Sequence, residues 1–147
     1  MTHRSESGQL TLLIIGFAMI AITAVVVVVN ASNVFLQRRS LSSWADGAVV
    51  VAAQNIAYEE LYGGARLDTL PLSEAAARDA VAGYVAGNGL GTRFDNFHVV
   101  AVSVDPATGR VSVELAASVP LLVAGDVTGG RSAFTITADA SAVAPFR

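Results

Sequence analysis

The stretch Leu10–Val29 (LTLLIIGFAMIAITAVVVVV) constrains this chain more than any other. Its twenty residues hold no charge, proline or asparagine, and Thr11 and Thr23 are its only polar side chains. A helix rising about 1.5 Å per residue covers roughly 30 Å over that length, the hydrocarbon thickness of a bilayer. Leu, Ile, Val and Phe fill thirteen of the positions, and each favours insertion by roughly 0.3–0.6 kcal/mol with no charge opposing them. The β-branched run Val25–Val29 would weaken a helix in water, but lipid offers the backbone no other hydrogen-bond partner. The expectation is a transmembrane helix anchored by Leu10, Leu13, Ile14, Phe17, Ile20, Val25 and Val29. A buried core helix would need more chain than is available to wrap it. A cleaved signal is the stronger rival, because Val29-Asn30-Ala31 has small-residue character, yet such signals carry only about 7–15 apolar residues.

The span divides the chain into a polar tail at 1–9, the membrane segment at 10–29, an extramembrane continuation of the helix at 30–62 and a head at 63–147. Of the 147 residues, those outside the membrane suffice for one small domain. The net charge of −3 leaves no basic field for nucleic acid. The chain has no cysteine, which removes disulfides, thiolate metal sites and thiol nucleophiles together.

Past Val29 the helical pattern continues, since no Pro or Gly occurs before Gly47. Asn30, Ser32 and Asn33 are weak helix formers, where a bend is expected if one occurs. Val34, Leu41, Ala45, Ala48, Ala52 and Ile56 recur at helical spacing, with Trp44 and Val51 on the flank. The Gly63-Gly64 pair marks a stop. The pattern therefore predicts one long rod from about Leu10 to Leu61, half in lipid and half outside. A linker over 63–72 follows. A second helix is then expected to be capped by Ser73, with Glu74 in its first turn and a buried stripe at Ala77, Val81 and Tyr84 or Val85.

After Gly87–Gly91 the period falls from 3.6 to 2. Val111, Val113, Leu115, Ala117 and Val119 alternate with polar residues, as do Phe134, Ile136, Ala138, Ala140 and Ala142. Both stretches read as strands with one buried face. Phe97–Val104 is apolar on both faces and is expected to be the central strand, joined to the next by the turn residues Asp105–Gly109. The fold class is α+β. A long N-terminal helix packs its outer half on a small head made of a second helix and a three-stranded antiparallel sheet.

One ordered set of residues reaches beyond fold class. Gly8-Gln9 precedes the span, and Phe35-Leu36-Gln37-Arg38-Arg39 and Leu41 follow it. Ala45-Asp46-Gly47-Ala48 then leads to Ala52-Ala53-Gln54. In order and spacing this stretch, Gly8–Gln54, resembles the N-terminal segment of TadE/TadG-like (tight-adherence, Flp) pilus-assembly proteins. Three departures stand out. Asn30 occupies a position where Asp is usual, and Trp44 and Gly47 replace small alanines, which points to a different packing partner on the rod. Prepilins of the type IV kind carry a glutamate five residues beyond their processing glycine. Here Leu13 stands five beyond Gly8, so processing at Gly8 is not expected.

The resemblance implies a non-enzymatic, single-pass, pilin-like component of a Tad/Flp pilus or related secretion apparatus. Its partners would be the lipid bilayer and other pilus-assembly or pilin subunits. The motif residues Gly8, Phe35, Arg38, Arg39, Leu41, Ala45, Asp46, Ala48 and Ala52 would serve helix packing. Resemblance also places the N-terminus in the cytoplasm and the head outside. Basic residues alone favour the reverse, since Arg4 stands on one side of the span against Arg38 and Arg39 on the other. Those two arginines lie about 13 Å beyond the span, so the resemblance is followed. The rival class is a membrane-tethered binding or sensor module unrelated to pili.

Other candidate sites read as structure. Gly87-Asn88-Gly89-Leu90-Gly91 ends a helix and precedes a strand, the reverse of a phosphate loop. His98 and His3 share no ligand spacing. The serines have no His/Asp arrangement, and the aspartates form no calcium loop. No catalytic residue, metal, cofactor or small-molecule substrate is expected. Pro120–Gly125 brings three consecutive large apolar residues into a loop, to dock against membrane or partner or to plug the core of the head.

Overall fold

A computed structural model describes residues 6–63, 70–121 and 133–143, and the side-chain surroundings of 8–56, 74–121 and 133–143. The chain forms α1 (Glu6–Gly63), α2 (Leu70–Gly87), α3 (Leu90–Arg93), β1 (Asp95–Asp105), β2 (Arg110–Pro120) and β3 (Ala133–Val143). The α+β architecture is the one expected, a long helix with a second helix and a three-stranded antiparallel sheet.

α1 holds 58 residues and is therefore roughly 87 Å long. It starts inside the stretch expected to be a tail, because adding a turn to an existing helix is far easier than nucleating one. It also runs unbroken through Asn30–Asn33. Asn30 Nδ2 donates to the Val26 carbonyl at 3.0 Å, and Thr23 Oγ1 to that of Met19 at 2.8 Å. Polar side chains on this apolar rod thus find partners one turn back without interrupting it.

The first half of α1 is bare and the second half is covered. Leu41, Ala45, Ala48, Val49, Ala52, Ala53 and Ile56 are buried against the head. β2 and β3 pack on α1, whereas β1 packs on α2. Small alanines let the sheet approach the helix axis closely, while Leu115, Val111, Val113 and Val119 of β2 fill the space between, all about 1% exposed or less.

β1 corrects an expectation. The sheet order is β1-β2-β3, so β2 is central and β1 is an edge. An apolar composition on both faces implied burial on both. Instead β1 breaks register with β2 between Asp95 and His98 and again between Val99 and Ala101. Such irregularities re-aim side chains, and Val99 and Val100 end 37% and 48% exposed. Only Val102 of this strand is buried, with Phe97 and Val104 half-buried. The register of β2 with β3 is uninterrupted from Arg110↔Val143 to Pro120↔Ala133.

α2 begins at Leu70, not after Ser73. Pro71 thereby falls in the first turn, where its missing N–H has no intrahelical partner to lose. Glu74 lies beyond that turn and pairs with Arg78 across one helical turn. The expected buried stripe is present, with Ala77 and Val81 buried and Tyr84 and Val85 half-buried. Asn88 closes the helix by donating its backbone N–H and its Nδ2 to the Tyr84 carbonyl at 3.1 and 2.8 Å. Gly89 then takes a left-handed conformation (φ 62°) open to glycine, and α3 fills a segment expected to be turn alone. Asp105 builds the β1–β2 turn. Its Oδ1 accepts the Ala107 N–H at 3.0 Å and its Oδ2 the Thr108 hydroxyl at 2.6 Å.

Candidate assembly and membrane surface

α1 presents three successive surfaces, and these are the candidate functional features among the described residues. The first is the apolar stretch from Leu10 to Val29. Every anchoring residue expected from the sequence (Leu10, Leu13, Ile14, Phe17, Ile20, Val25 and Val29) is exposed. The helix is long and apolar enough to cross a membrane, and none of the stretch that meets that test is buried among the described residues. Gly8, at its start, has open space around it.

The third surface, from Leu41 to Ile56, is consumed within the chain. The motif residues Leu41, Ala45, Ala48 and Ala52 are fully buried under the chain's own head. Asp46 points outward and forms no ion pair among the described residues. Trp44 and Gly47 meet α2 here. The Trp44 and Tyr84 rings lie 6.1 Å apart and tilted by 57°, and the Tyr84 hydroxyl sits directly over Gly47. The Arg93 guanidinium of α3 covers the Trp44 ring at 5.1 Å, a cation–π distance. The packing partner implied by these two departures is thus the chain's own second helix.

Between these two surfaces lies the junction. Asn33 Nδ2 donates to the Pro120 carbonyl at 3.3 Å and ties the end of β2 to α1. Phe35, Leu36, Arg38 and Arg39 are exposed on the helix, with Phe134 exposed beside them on β3. Phe35, Arg38, Leu121 and Phe134 line a recess of about 470 Å³ together with Ala31 and Val34. Of the Pro120–Gly125 stretch, Pro120 and Leu121 border this junction, and the rest lies outside the described residues.

No group of three His, Asp or Glu side chains converges among the described residues. His98 is exposed, its Nδ1 3.0 Å from the Asn96 carbonyl. Sequence reasoning did not find the Trp44–Tyr84–Arg93 cluster or the recess, because each joins residues from separate elements and the exposure of Phe134 emerges only in the fold.

The described residues form a long helix with a bare apolar half and a half that seats a small α+β head. Residues 8–55 match the family described as "Putative Flp pilus-assembly TadE/G-like". The matched segment takes in the bare half of α1 and the buried positions from Leu41 to Ala53. No curated protein matches the chain, and no solved structure does.

Proposed function

We propose that this chain is a non-enzymatic, single-pass, membrane-anchored component of Tad/Flp pilus assembly or a related secretion apparatus. The observation that carries the reading is that one family match takes in both the bare and the head-bearing parts of α1. The family match at 8–55 spans the bare apolar half of α1 and the half that seats the head. In this reading 10–29 lies in the bilayer, 30–62 continues the rod and 63–147 forms the head. The N-terminus is cytoplasmic and the head extracytoplasmic.

The bare half then packs laterally against lipid and against the apolar helices of other pilus subunits. Ala45, Ala48 and Ala52 are already used by the head, so contacts with other subunits fall to the span, to Asp46 and the outer face of the rod, and to the exposed surfaces of the head.

Deleting the gene in a piliated strain should abolish or shorten surface pili, with complementation restoring them. Undiminished piliation overturns the proposal. Orientation is read separately. The chain has no cysteine, so a single Ser103→Cys label on β1 should react with a membrane-impermeant thiol reagent on osmotically opened but unlysed cells. Labelling only after lysis reverses the topology.

A further inference from the structure

The membrane end of the head carries a surface that pilus assembly by helix packing leaves unexplained. Asn33, which holds the Pro120 carbonyl, follows Val29 by four residues, or about 6 Å of helix. A bilayer about 40–45 Å thick around a hydrocarbon core of about 30 Å has roughly 5–8 Å of headgroup layer on each face. With Leu10–Val29 in hydrocarbon, the end of β2 at Pro120 and the start of β3 at Ala133, its register partner, stand at headgroup height.

The side chains at that height suit this layer. Phe35 and Phe134 are 64% and 55% exposed, and Leu36 is exposed beside them. Phe and Leu on the apolar face of an interfacial element bury into the headgroup–acyl boundary. The apolar surface of the span continues through Phe35 and Leu36 and, across the recess, onto Phe134. Arg38 lines the same recess. Its Cα lies about 13 Å beyond Val29, but helical side chains lean toward the N-terminus, here back toward the membrane. A long arginine stem spans such a distance with its apolar part kept on apolar surface, and Phe35 and Phe134 supply that surface in the same recess. Neither Arg38 nor Arg39 forms an ion pair among the described residues. A guanidinium fork matches phosphate oxygens in pairs.

We propose that the recess between α1 and the membrane ends of β2 and β3 is a seat for anionic phospholipid headgroups. Phe35, Leu36 and Phe134 lodge in the interfacial layer, Arg38 binds a lipid phosphate, and Arg39 adds to the attraction. The head therefore rests on the bilayer instead of standing away from it. A protein occupant would have to enter at a depth that lipid headgroups already fill. The inference rests on the anchored reading given under Proposed function.

The test uses the full-length chain in vesicles of phosphatidylcholine, with and without phosphatidylglycerol. Single nitroxide labels are placed at Ile20→Cys, Phe134→Cys and Asp46→Cys, the last about 26 Å of helix beyond Val29. Collision rates with oxygen and with a water-soluble nickel chelate report depth. The expected result is a label at 20 deep in hydrocarbon and a label at 46 in water. At 134 nickel collisions should be several-fold rarer than at 46 in anionic vesicles. Arg38→Ala with Arg39→Ala should raise them several-fold again, and so should omission of phosphatidylglycerol.

A label at 134 as open to nickel as that at 46, with 20 still buried, overturns the seat and leaves the anchor standing. A label at 20 in water overturns the anchor itself. Protection at 134 that vanishes on diluting the protein in lipid assigns the surface to a second copy and overturns the lipid assignment. Protection indifferent to both arginines and to anionic lipid overturns the phosphate contact. Phe134 is an exposed side chain, and unchanged circular dichroism of Phe134→Cys checks that the fold is kept.

Discussion

The Tyr84 hydroxyl of α2 lies against the backbone of α1 at Gly47, where a methyl group would stand 2.9 Å from the ring's Cζ and closer still to its oxygen. The ring cannot swing freely aside, because Trp44 packs on it and Arg93 in turn covers Trp44. Glycine at 47 thus sets how closely the second helix approaches the rod. Gly47→Ala should destabilise the head by about 1–3 kcal/mol, the usual cost of overpacking a tight contact. Tyr84→Ala in the same chain should recover part of the loss, since it removes the clashing group. A double-mutant cycle from chemical denaturation of the detergent-solubilised protein measures the coupling. Independent, additive effects would show that the contact does not limit the approach.

Helical spacing alone placed Val34, Leu41, Ala45, Ala48, Ala52 and Ile56 on one face; Val34 is half-buried and the other five are buried. The period of two likewise found the inner face of β2 and that of β3 from Ile136 to Ala142, because each strand has a more polar face to alternate against. Phe134, expected on the buried face, stands exposed at the end of β3. β1 escaped this logic. Its edge position depends on which strand its neighbours choose, and two register breaks turn Val99 and Val100 outward. The start of α2 was misplaced because Ser73 is a good cap residue while Pro71 fits a first turn equally well. As for the candidate surfaces, the bare span was legible from composition. The recess was not, for Phe35 and Phe134 are 99 positions apart in sequence and line one recess only once β3 is laid on the rod.

β2 is covered on one face by α1 and hydrogen-bonded along both edges, so its inward side chains should dominate stability. Leu115 is fully buried, and Leu115→Ala should cost about 2–5 kcal/mol. Val100→Ala, on the exposed edge strand, should change stability by less than about 0.5 kcal/mol. Denaturant midpoints of the two variants, at equal slope, decide the comparison. A Val100 effect as large as that of Leu115 would mean that β1 is buried in the assembled protein.

The β1–β2 turn should carry its own pH dependence. The Thr108 hydroxyl and then the Ala107 amide hold the Asp105 carboxyl below its ordinary value of 3.8. A carboxylate whose folded value is depressed adds stability above the unfolded value, and loses it as pH falls through the folded one. Protection of the Ala107 amide should therefore be constant down to about pH 4 and decline below that. NMR titration of the Asp105 carboxyl carbon reads the midpoint directly. In Asp105→Ala the acid-dependent decline should be absent, with the turn less protected throughout.

The bare half of α1 makes the sharpest demand. Among the described residues nothing buries the apolar window of α1, so on the anchored reading a charge placed there meets lipid. An arginine near the middle of a span opposes insertion by roughly 2.5–3.5 kcal/mol, comparable with much of what the apolar residues contribute. Ile14→Arg with Ile20→Arg should release a large fraction of the protein into an alkaline wash, while the unsubstituted chain stays with the membrane. Asp46→Arg adds the same charge about 26 Å of helix beyond Val29 and should leave extraction unchanged. Equal retention of the doubly charged span would show that Leu10–Val29 is held by protein and not by lipid, since only a polar or paired surrounding would absorb two buried guanidinium groups.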